Sequence, residues 1–155
     1  GYVNHQIIVA GAPTLSKEFY ASIDDSVCVI FNETYEIMAN ARAAIVTSGT
    51  ATLEAALFKV PEVICYKGSN ISYRIAKRLI KVKYISLVNL ILDQEVVKEL
   101  IQHECTSENI QLELDKIIND ENYRQMLIDK YNELEEMLGG GGASKKVAQS
   151  LFKTL

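Results

Sequence analysis

The residues best suited to binding an anion lie between positions 43 and 58. Residues 43–46 are apolar, residues 47–50 are small and polar around a single glycine, and the apolar residues from Leu53 onward fit a helix. This order predicts a buried strand, a tight glycine turn and a helix. Such a turn directs backbone N–H groups and the positive end of the helix dipole beyond the carboxyl edge of a sheet, where a diphosphate can bind.

The candidate phosphate-binding residues come from this turn and from the start of the helix. They are Ser48, Gly49, Thr50, Ala51 and Thr52. Glu54 lies about one turn into the helix, where a carboxylate can accept hydrogen bonds from the sugar hydroxyls of a nucleotide. The alternative is an ordinary turn between strand and helix in which Ser or Thr caps the helix, and spacing alone leaves both interpretations open.

The composition indicates a soluble globular protein of one domain. The chain has 155 residues, of which 48% are hydrophobic and 23% charged, enough for a real core. No apolar stretch approaches the roughly 18 residues that span a bilayer, and no signal peptide is recognisable. The chain lacks an initiator Met and begins almost inside a strand, which suggests a segment of a longer polypeptide.

The cysteines and histidines favour a reducing compartment without a metal site. Cys28, Cys65 and Cys105 are odd in number and widely spaced, so we expect free thiols and a cytoplasmic location. No CxxC motif occurs, and His5 and His103 lie far from a second ligand in the sequence. We therefore expect neither a metal nor a cofactor.

Charge is unevenly distributed along the chain. The net charge of −4 argues against binding to nucleic acid. Residues 67–83 nevertheless carry only basic charges, at Lys67, Arg74, Lys77, Arg78, Lys81 and Lys83. This tract is either a solvated helix face or a contact surface for anionic lipid head groups and phosphates.

Strands and helices alternate through the first two thirds of the sequence. Apolar runs predict strands at residues 6–10, 27–31, 43–46 and 63–66, with a shorter extended run at 84–87. We expect helices from Thr14 or Ser16, at 34–41, at 51–58, at 71–80 and from Asp93 to Ile101. This spacing predicts a Rossmann-like three-layer α/β/α domain with a parallel sheet. Ligands would bind at loops 11–15, 32–34, 47–50, 67–70 and 88–90.

The last third of the sequence is helical. We expect a helix from Ser107, an amphipathic helix over residues 120–138 and a final helix over 143–155. The glycines at 139–142 form either a hinge or a second phosphate-binding loop, and a hinge permits exchange of the last helix in a homodimer. We place the nucleotide-binding core at residues 1–105 and the additional helices at 106–155.

Three stretches, in this order, resemble the lipid-A-disaccharide synthase family of GT-B glycosyltransferases. They are SGTATLEAAL at 48–57, YRIAKRLIKVKYISLVNLI at 73–91 and EVVKELIQHEC at 95–105, and LGGGGASKKVA at 138–148 is similar to the ending of some members. The resemblance implies the carboxyl-terminal, donor-binding half of an inverting enzyme. Members transfer 2,3-diacylglucosamine from its UDP derivative to 2,3-diacylglucosamine 1-phosphate and release UDP, with no essential metal, in Gram-negative bacteria.

The resemblance also implies roles for individual residues. The turn at 48–52 would face the donor phosphates, and Glu54 would face the ribose. Asn89, in the SLxN element, would lie close to the donor cleft. Apart from the resemblance, Tyr73 is a candidate either for stacking on a uracil ring or for the core, and Glu99 and Gln102 are candidates for contact with the donor or with a partner subunit. The catalytic base, the phosphate-binding arginine and the acceptor-binding domain lie outside this chain, so we expect no turnover from it alone. The acylated substrates favour a peripheral location on the inner face of the inner membrane.

Three alternatives stay open from the sequence. Another GT-B glycosyltransferase or an epimerase that uses UDP-GlcNAc would share the glycine turn and the acidic residue. A flavodoxin-like binding module without enzymatic activity would need clustered acids at its strand ends, and the first two strand-end loops offer few. A piece that serves mainly dimerisation would use the helix at 120–138.

Overall fold

A computed structural model describes residues 5–68 and 83–139. The predicted helix at 71–80, most of the basic tract, Tyr73 and the last helix lie outside the described residues. The chain divides into two compact units, Gly1–Ala41 and Arg42–Leu155, which are described separately. The predicted division at residue 105 stays a prediction.

The first unit is a short βαβα segment. It contains β1 (Ile8–Gly11), α1 (Lys17–Ile23), β2 (Cys28–Phe31) and α2 (Thr34–Asn40). The two strands are parallel, in register from Ile8 opposite Cys28 to Gly11 opposite Phe31. Ser16 caps α1 by accepting a hydrogen bond from the Phe19 N–H. The strands and helices predicted here are confirmed.

The second unit contains three strands and four α-helices among its described residues. These are β3 (Ala44–Thr47), α3 (Thr50–Leu57), β4 (Glu62–Tyr66), α4 (Leu87–Leu92), β5 (Lys98–Ile101), α5 (Ser107–Asn119) and α6 (Glu121–Met137), with a 3₁₀ turn at Gln102–Glu104. The strands form a parallel sheet in the order β3-β4-β5. Parallel strands joined through helices confirm the Rossmann-like α/β fold.

Helices cover the sheet of the second unit and form its core. α3 packs against β3 and β4, α5 against β4 and β5, and α6 against α3 and α5. Its fully buried apolar side chains include Ile64, Ile117, Leu127, Tyr131 and Leu134. Asp120 caps α6, which confirms the predicted amphipathic helix. None of the described helices has the length and apolar character needed to cross a membrane.

The predictions for residues 84–101 are wrong in two places. The run expected to be extended at 84–87 leads into α4, because Ser86 caps that helix by accepting from the Asn89 N–H. The helix expected from Asp93 is instead β5, whose residues pair with Val63 to Tyr66 of β4. A short buried run has no periodicity that separates strand from helix, so pairing with β4 decides. Loop 88–90 therefore does not follow a strand, whereas the turn at Gln102–Glu104 does.

Candidate functional site

The carboxyl ends of three parallel strands meet at one edge of the second unit. Thr47 lies opposite Cys65, and Tyr66 lies opposite Ile101, so the strands end together. The chain leaves this edge at Ser48, Lys67 and Gln102. Open α/β sheets bind their ligands at the carboxyl ends of the strands. This edge is therefore the candidate functional site.

Gly49 shapes the start of α3 at this edge. Its φ of 157° and ψ of −163° lie in a region that is essentially restricted to glycine. A Cβ atom at this position would meet nothing within 4 Å, so the backbone conformation rather than crowding requires glycine. No side chain in the described part of the molecule caps α3, and the interpretation as a turn capped by Ser or Thr is wrong. The first amides of the helix, from Thr50 and Ala51, have no intrahelical acceptor.

The hydroxyls of Ser48 and Thr52 hold the turn around Gly49 in shape. Ser48 Oγ donates to the carbonyl of Ile85 at 3.1 Å, and its N–H donates to the carbonyl of Cys65 at 3.2 Å. Thr52 is fully buried, and its Oγ1 donates to the Gly49 carbonyl at 2.8 Å. Both hydroxyls are thus engaged within the chain, while Gly49 and Thr50 are exposed. The exposed groups of the turn are therefore the backbone at Gly49 and Thr50 and the Thr50 side chain.

Glu54 lies on α3, one turn beyond the glycine. Its side chain is half-buried. Among the described residues its carboxylate takes part in no hydrogen bond or ion pair. Both carboxylate oxygens therefore keep their capacity to accept hydrogen bonds from a ligand.

Asn89 is a buried residue whose amide is fully used inside the chain. Its Oδ1 accepts from the N–H groups of Val96 at 2.8 Å and Val97 at 3.0 Å. Its Nδ2 donates to the Val97 carbonyl and to Glu99 Oε1, both at 2.9 Å. The side chain has no exposed surface, so in this arrangement it holds the start of β5 against α4.

Glu99 joins Asn89 to the glycine turn. Its carboxylate accepts from the N–H of Ile85 at 2.9 Å and of Ser86 at 3.0 Å, in addition to Asn89. Ser48 binds the carbonyl of the same Ile85. Ser48, Asn89 and Glu99 were all expected to face a donor. The structure brings them together in a hydrogen-bonded network that holds the glycine turn.

Gln102 is the most unusual residue at this edge. Its φ of 54° is left-handed, which costs a non-glycine residue roughly 1–2 kcal/mol. The residue is 8% exposed, and Nε2 is buried without a hydrogen-bond partner among the residues that the structure describes. Strain and an unpaired buried donor at the same residue are typical of ligand sites. Gln102 directly follows β5, so the prediction of a strand at 98–101 would have placed Gln102 at the carboxyl edge of the sheet.

Two cysteines meet near the same edge. Burial raises the pKa of the Cys65 thiol to about 12, and a hydrogen bond with the Cys105 thiol adds to the shift. Both cysteines are free of disulfides. Cys65 therefore stays protonated at neutral pH and is a poor nucleophile.

The fold and this edge define a Rossmann-like α/β domain in which no described side chain caps the first amides of α3. A family model described as lipid-A-disaccharide synthetase matches residues 4–150. The chain belongs to the lipid-A-disaccharide synthetase family, as the resemblance implied.

Named relatives agree with the family match. Proteins called lipid-A-disaccharide synthase from Trichlorobacter lovleyi, Coxiella burnetii and Psychromonas ingrahamii are 35%, 38% and 42% identical over 147, 127 and 119 residues. These alignments cover 92%, 82% and 77% of this chain but 38%, 34% and 30% of the relatives. The chain thus spans about a third of their length.

Proposed function

We propose that this chain is the donor-binding part of a lipid-A-disaccharide synthase and binds UDP-2,3-diacylglucosamine. The observation that carries the proposal is the start of α3, where Gly49 leaves the amides of Thr50 and Ala51 without a side-chain cap. The family match supports the class of reaction. The open helix start supports a position for the diphosphate of the donor.

The helix start would act most strongly as UDP leaves. The departing diphosphate gains negative charge, and preorganised amides stabilise developing charge without having to reorient. A helix N-terminus contributes roughly 0.3–2 kcal/mol toward an anion. Enzymes lower barriers by about 8 kcal/mol or more, so this edge alone does not account for turnover.

Other residues at the edge would recognise the nucleoside and hold the turn. The Glu54 carboxylate would accept hydrogen bonds from the ribose hydroxyls, and the unpaired Nε2 of Gln102 would donate to the donor. Ser48 and Thr52 would keep the turn in its conformation, and Glu99 would position Ser48 through Ile85. Asn89 would support Glu99 in this task.

In the proposed reaction the 6-hydroxyl of 2,3-diacylglucosamine 1-phosphate attacks the anomeric carbon of the donor. The bond between that carbon and the diphosphate oxygen breaks, and UDP leaves with the electron pair. The hydroxyl proton passes to a base outside this chain. The product is a β-1,6-linked disaccharide.

The acyl chains of the proposed substrates suggest where the protein acts in the cell. We place the protein in the cytoplasm, peripheral to the inner face of the inner membrane. The basic tract would contact anionic head groups there, through Lys67, Arg74, Lys77, Arg78 and Lys81, and Tyr73 in the same tract would contact the donor. Assembly into a homodimer is a further proposal from the sequence.

Titration with UDP tests the central observation. In ¹⁵N NMR spectra of the 155-residue chain, we expect saturable shifts of the Gly49, Thr50 and Ala51 amides. UMP, which lacks the second phosphate, should bind more weakly. The absence of a response to millimolar UDP, or shifts confined to other loops, would refute the proposed site.

A substitution of Glu54 tests the ribose contact. We expect Glu54→Ala to raise the Kd for UDP about tenfold, because one charge-assisted hydrogen bond is worth about 1.4 kcal/mol or more. The Kd for inorganic pyrophosphate should not change. Glu36→Ala, an exposed glutamate on α2, is the control. Equal losses for UDP and pyrophosphate would remove Glu54 from the ribose.

A further inference from the structure

Two free cysteines, Cys65 and Cys105, meet at the carboxyl edge of the sheet. Cys65 lies in β4, where it pairs with Leu100 of β5, and Cys105 follows the 3₁₀ turn at Gln102–Glu104. The thiols of the two cysteines are in hydrogen-bond contact across this edge. Both residues are half-buried, so part of each lies at the surface.

The backbone of each cysteine holds one of the two loops of the candidate site. The Cys65 carbonyl accepts from the N–H of Ser48 at 3.2 Å, next to Gly49. The Cys105 N–H donates to the Gln102 carbonyl at 3.2 Å and closes the turn in which Gln102 is left-handed. A covalent bond between the two side chains would therefore join the glycine turn to the turn at Gln102.

Two thiols in contact are suited to forming a disulfide within one chain. Once one thiol has been oxidised, its neighbour can attack it without a second bimolecular encounter. We propose that Cys65 and Cys105 form a reversible disulfide that tethers the turn bearing Gln102 to the end of β4. Cys28, the third free cysteine, lies in β2 of the first unit and takes no part.

The oxidant is a small disulfide such as oxidised glutathione. Burial raises the pKa of the Cys65 thiol to about 12, so the Cys105 thiolate attacks first and one glutathione thiolate leaves with the electron pair. Capped Cys105 carries no charge and no longer raises the pKa of Cys65. Cys65 then loses its proton and attacks the Cys105 sulfur, which releases the second glutathione. The two protons lost by the cysteines are taken up by the two glutathione thiolates.

The disulfide acts on the candidate site through Gln102, and this consequence rests on the proposed function. A disulfide requires a specific arrangement of its two cysteines, which differs from that of two thiols in a hydrogen bond. Closing it shifts Cys105 and, through the bond from its N–H, the turn that positions Nε2 of Gln102. We expect the oxidised chain to bind UDP about tenfold more weakly, as for the loss of one hydrogen bond to a charged group.

A redox titration tests the disulfide without any ligand. The 155-residue chain is equilibrated in buffers of reduced and oxidised glutathione, quenched with acid, alkylated and mapped by mass spectrometry. We expect linked peptides that contain Cys65 and Cys105, at a yield independent of protein concentration, and full recovery of the thiols on reduction. Cys28→Ser should form the same link, and Cys105→Ser should not. Mixed disulfides that persist at both cysteines, or a link that includes Cys28, would overturn the proposal.

The affinity for UDP separates the tether from the donor site. In the Cys28→Ser chain, oxidation should raise the Kd for UDP about tenfold, and adding Gln102→Ala should abolish this difference. Equal Kd values for oxidised and reduced Cys28→Ser would refute the effect on Gln102. If neither form binds UDP, the proposed donor site fails while the disulfide stands. The amide shifts of Gln102 and Cys105 on oxidation then decide whether the turn moves, and unchanged shifts would overturn the tether.

Discussion

The two ends of the three-stranded sheet in the second unit have opposite characters. At the carboxyl end, Gly49 and Tyr66 are exposed, and no side chain caps α3. At the amino end, Glu62 of β4 and Tyr131 of α6 interact with each other and are 1% and 0% exposed. Lys59, in the connection between α3 and β4, donates from Nζ to the Tyr131 carbonyl at 3.0 Å.

Both ends bury polar atoms without partners, but in different surroundings. At the amino end, the carboxyl oxygens of Glu62 are buried without a hydrogen-bond partner among the described residues, next to the hydroxyl of Tyr131. At the carboxyl end it is Nε2 of Gln102, next to loops that face solvent. Under the proposed function, the amino end supplies stability, whereas the carboxyl end binds the ligand.

The largest effect should come from opening the core at the amino end. Leu127 of α6 is fully buried, and Leu127→Ala should lower the free energy of unfolding by about 3 kcal/mol through lost burial and a cavity. Met126, the preceding residue, is 39% exposed, so Met126→Ala should cost less than about 1 kcal/mol. Urea unfolding measures both. Equal losses of stability in the two variants would mean that the buried face of α6 does not pack against the core at the amino end of the sheet.

Features of the two sheet ends that depend on a local sequence pattern can be predicted from the sequence. The glycine turn follows from an apolar run broken at Thr47 to Gly49, and α6 follows from apolar residues at helical spacing after Asp120. Ser16 and Asp120 cap their helices because short acceptor side chains precede apolar periodic runs. These features need no information from distant residues.

Features that depend on distant contacts could not be predicted in this way. β5 forms because its residues pair with β4, and its apolar run alone fits a helix equally well. Glu62 is a charged residue at the start of a strand, and it is buried beside Tyr131 of α6, which lies far away in the sequence. The left-handed backbone of Gln102 has no sequence signal, since glutamine rarely adopts it.

A pH-dependent effect of intermediate size should come from Glu62. Burial raises its pKa well above the ordinary value of 4.5, so the folded chain keeps this carboxyl protonated while the unfolded chain ionises it. The contribution of Glu62 to stability is complete below pH 4.5, where the carboxyl is protonated in both states. It is lost as the pH rises toward the raised pKa, because the folded chain then holds a proton that the unfolded chain has released, and a rising pH favours the state with fewer protons. We expect the free energy of unfolding to fall across this range.

Matched glutamine variants isolate this effect. Glu62→Gln should remove that part of the pH dependence, whereas Glu36→Gln, on the exposed surface of α2, should leave it in place. Urea unfolding at a series of pH values above 4.5 measures the slopes. A slope that survives in Glu62→Gln would show that another group titrates.

The smallest effect on stability should come from the carboxyl end, at Gln102. Gln102→Ala removes the buried amide and keeps a Cβ in the left-handed conformation, whereas Gln102→Gly also relieves the strain. The glycine variant should therefore be the more stable by about 1 kcal/mol. Both variants should bind UDP more weakly than the parent chain, because both lack the Nε2 donor. If both variants bind UDP as tightly as the parent chain does, Gln102 does not contact UDP and its left-handed backbone only shapes the turn. Gln102 would then give no support to ligand binding at the carboxyl end of the sheet.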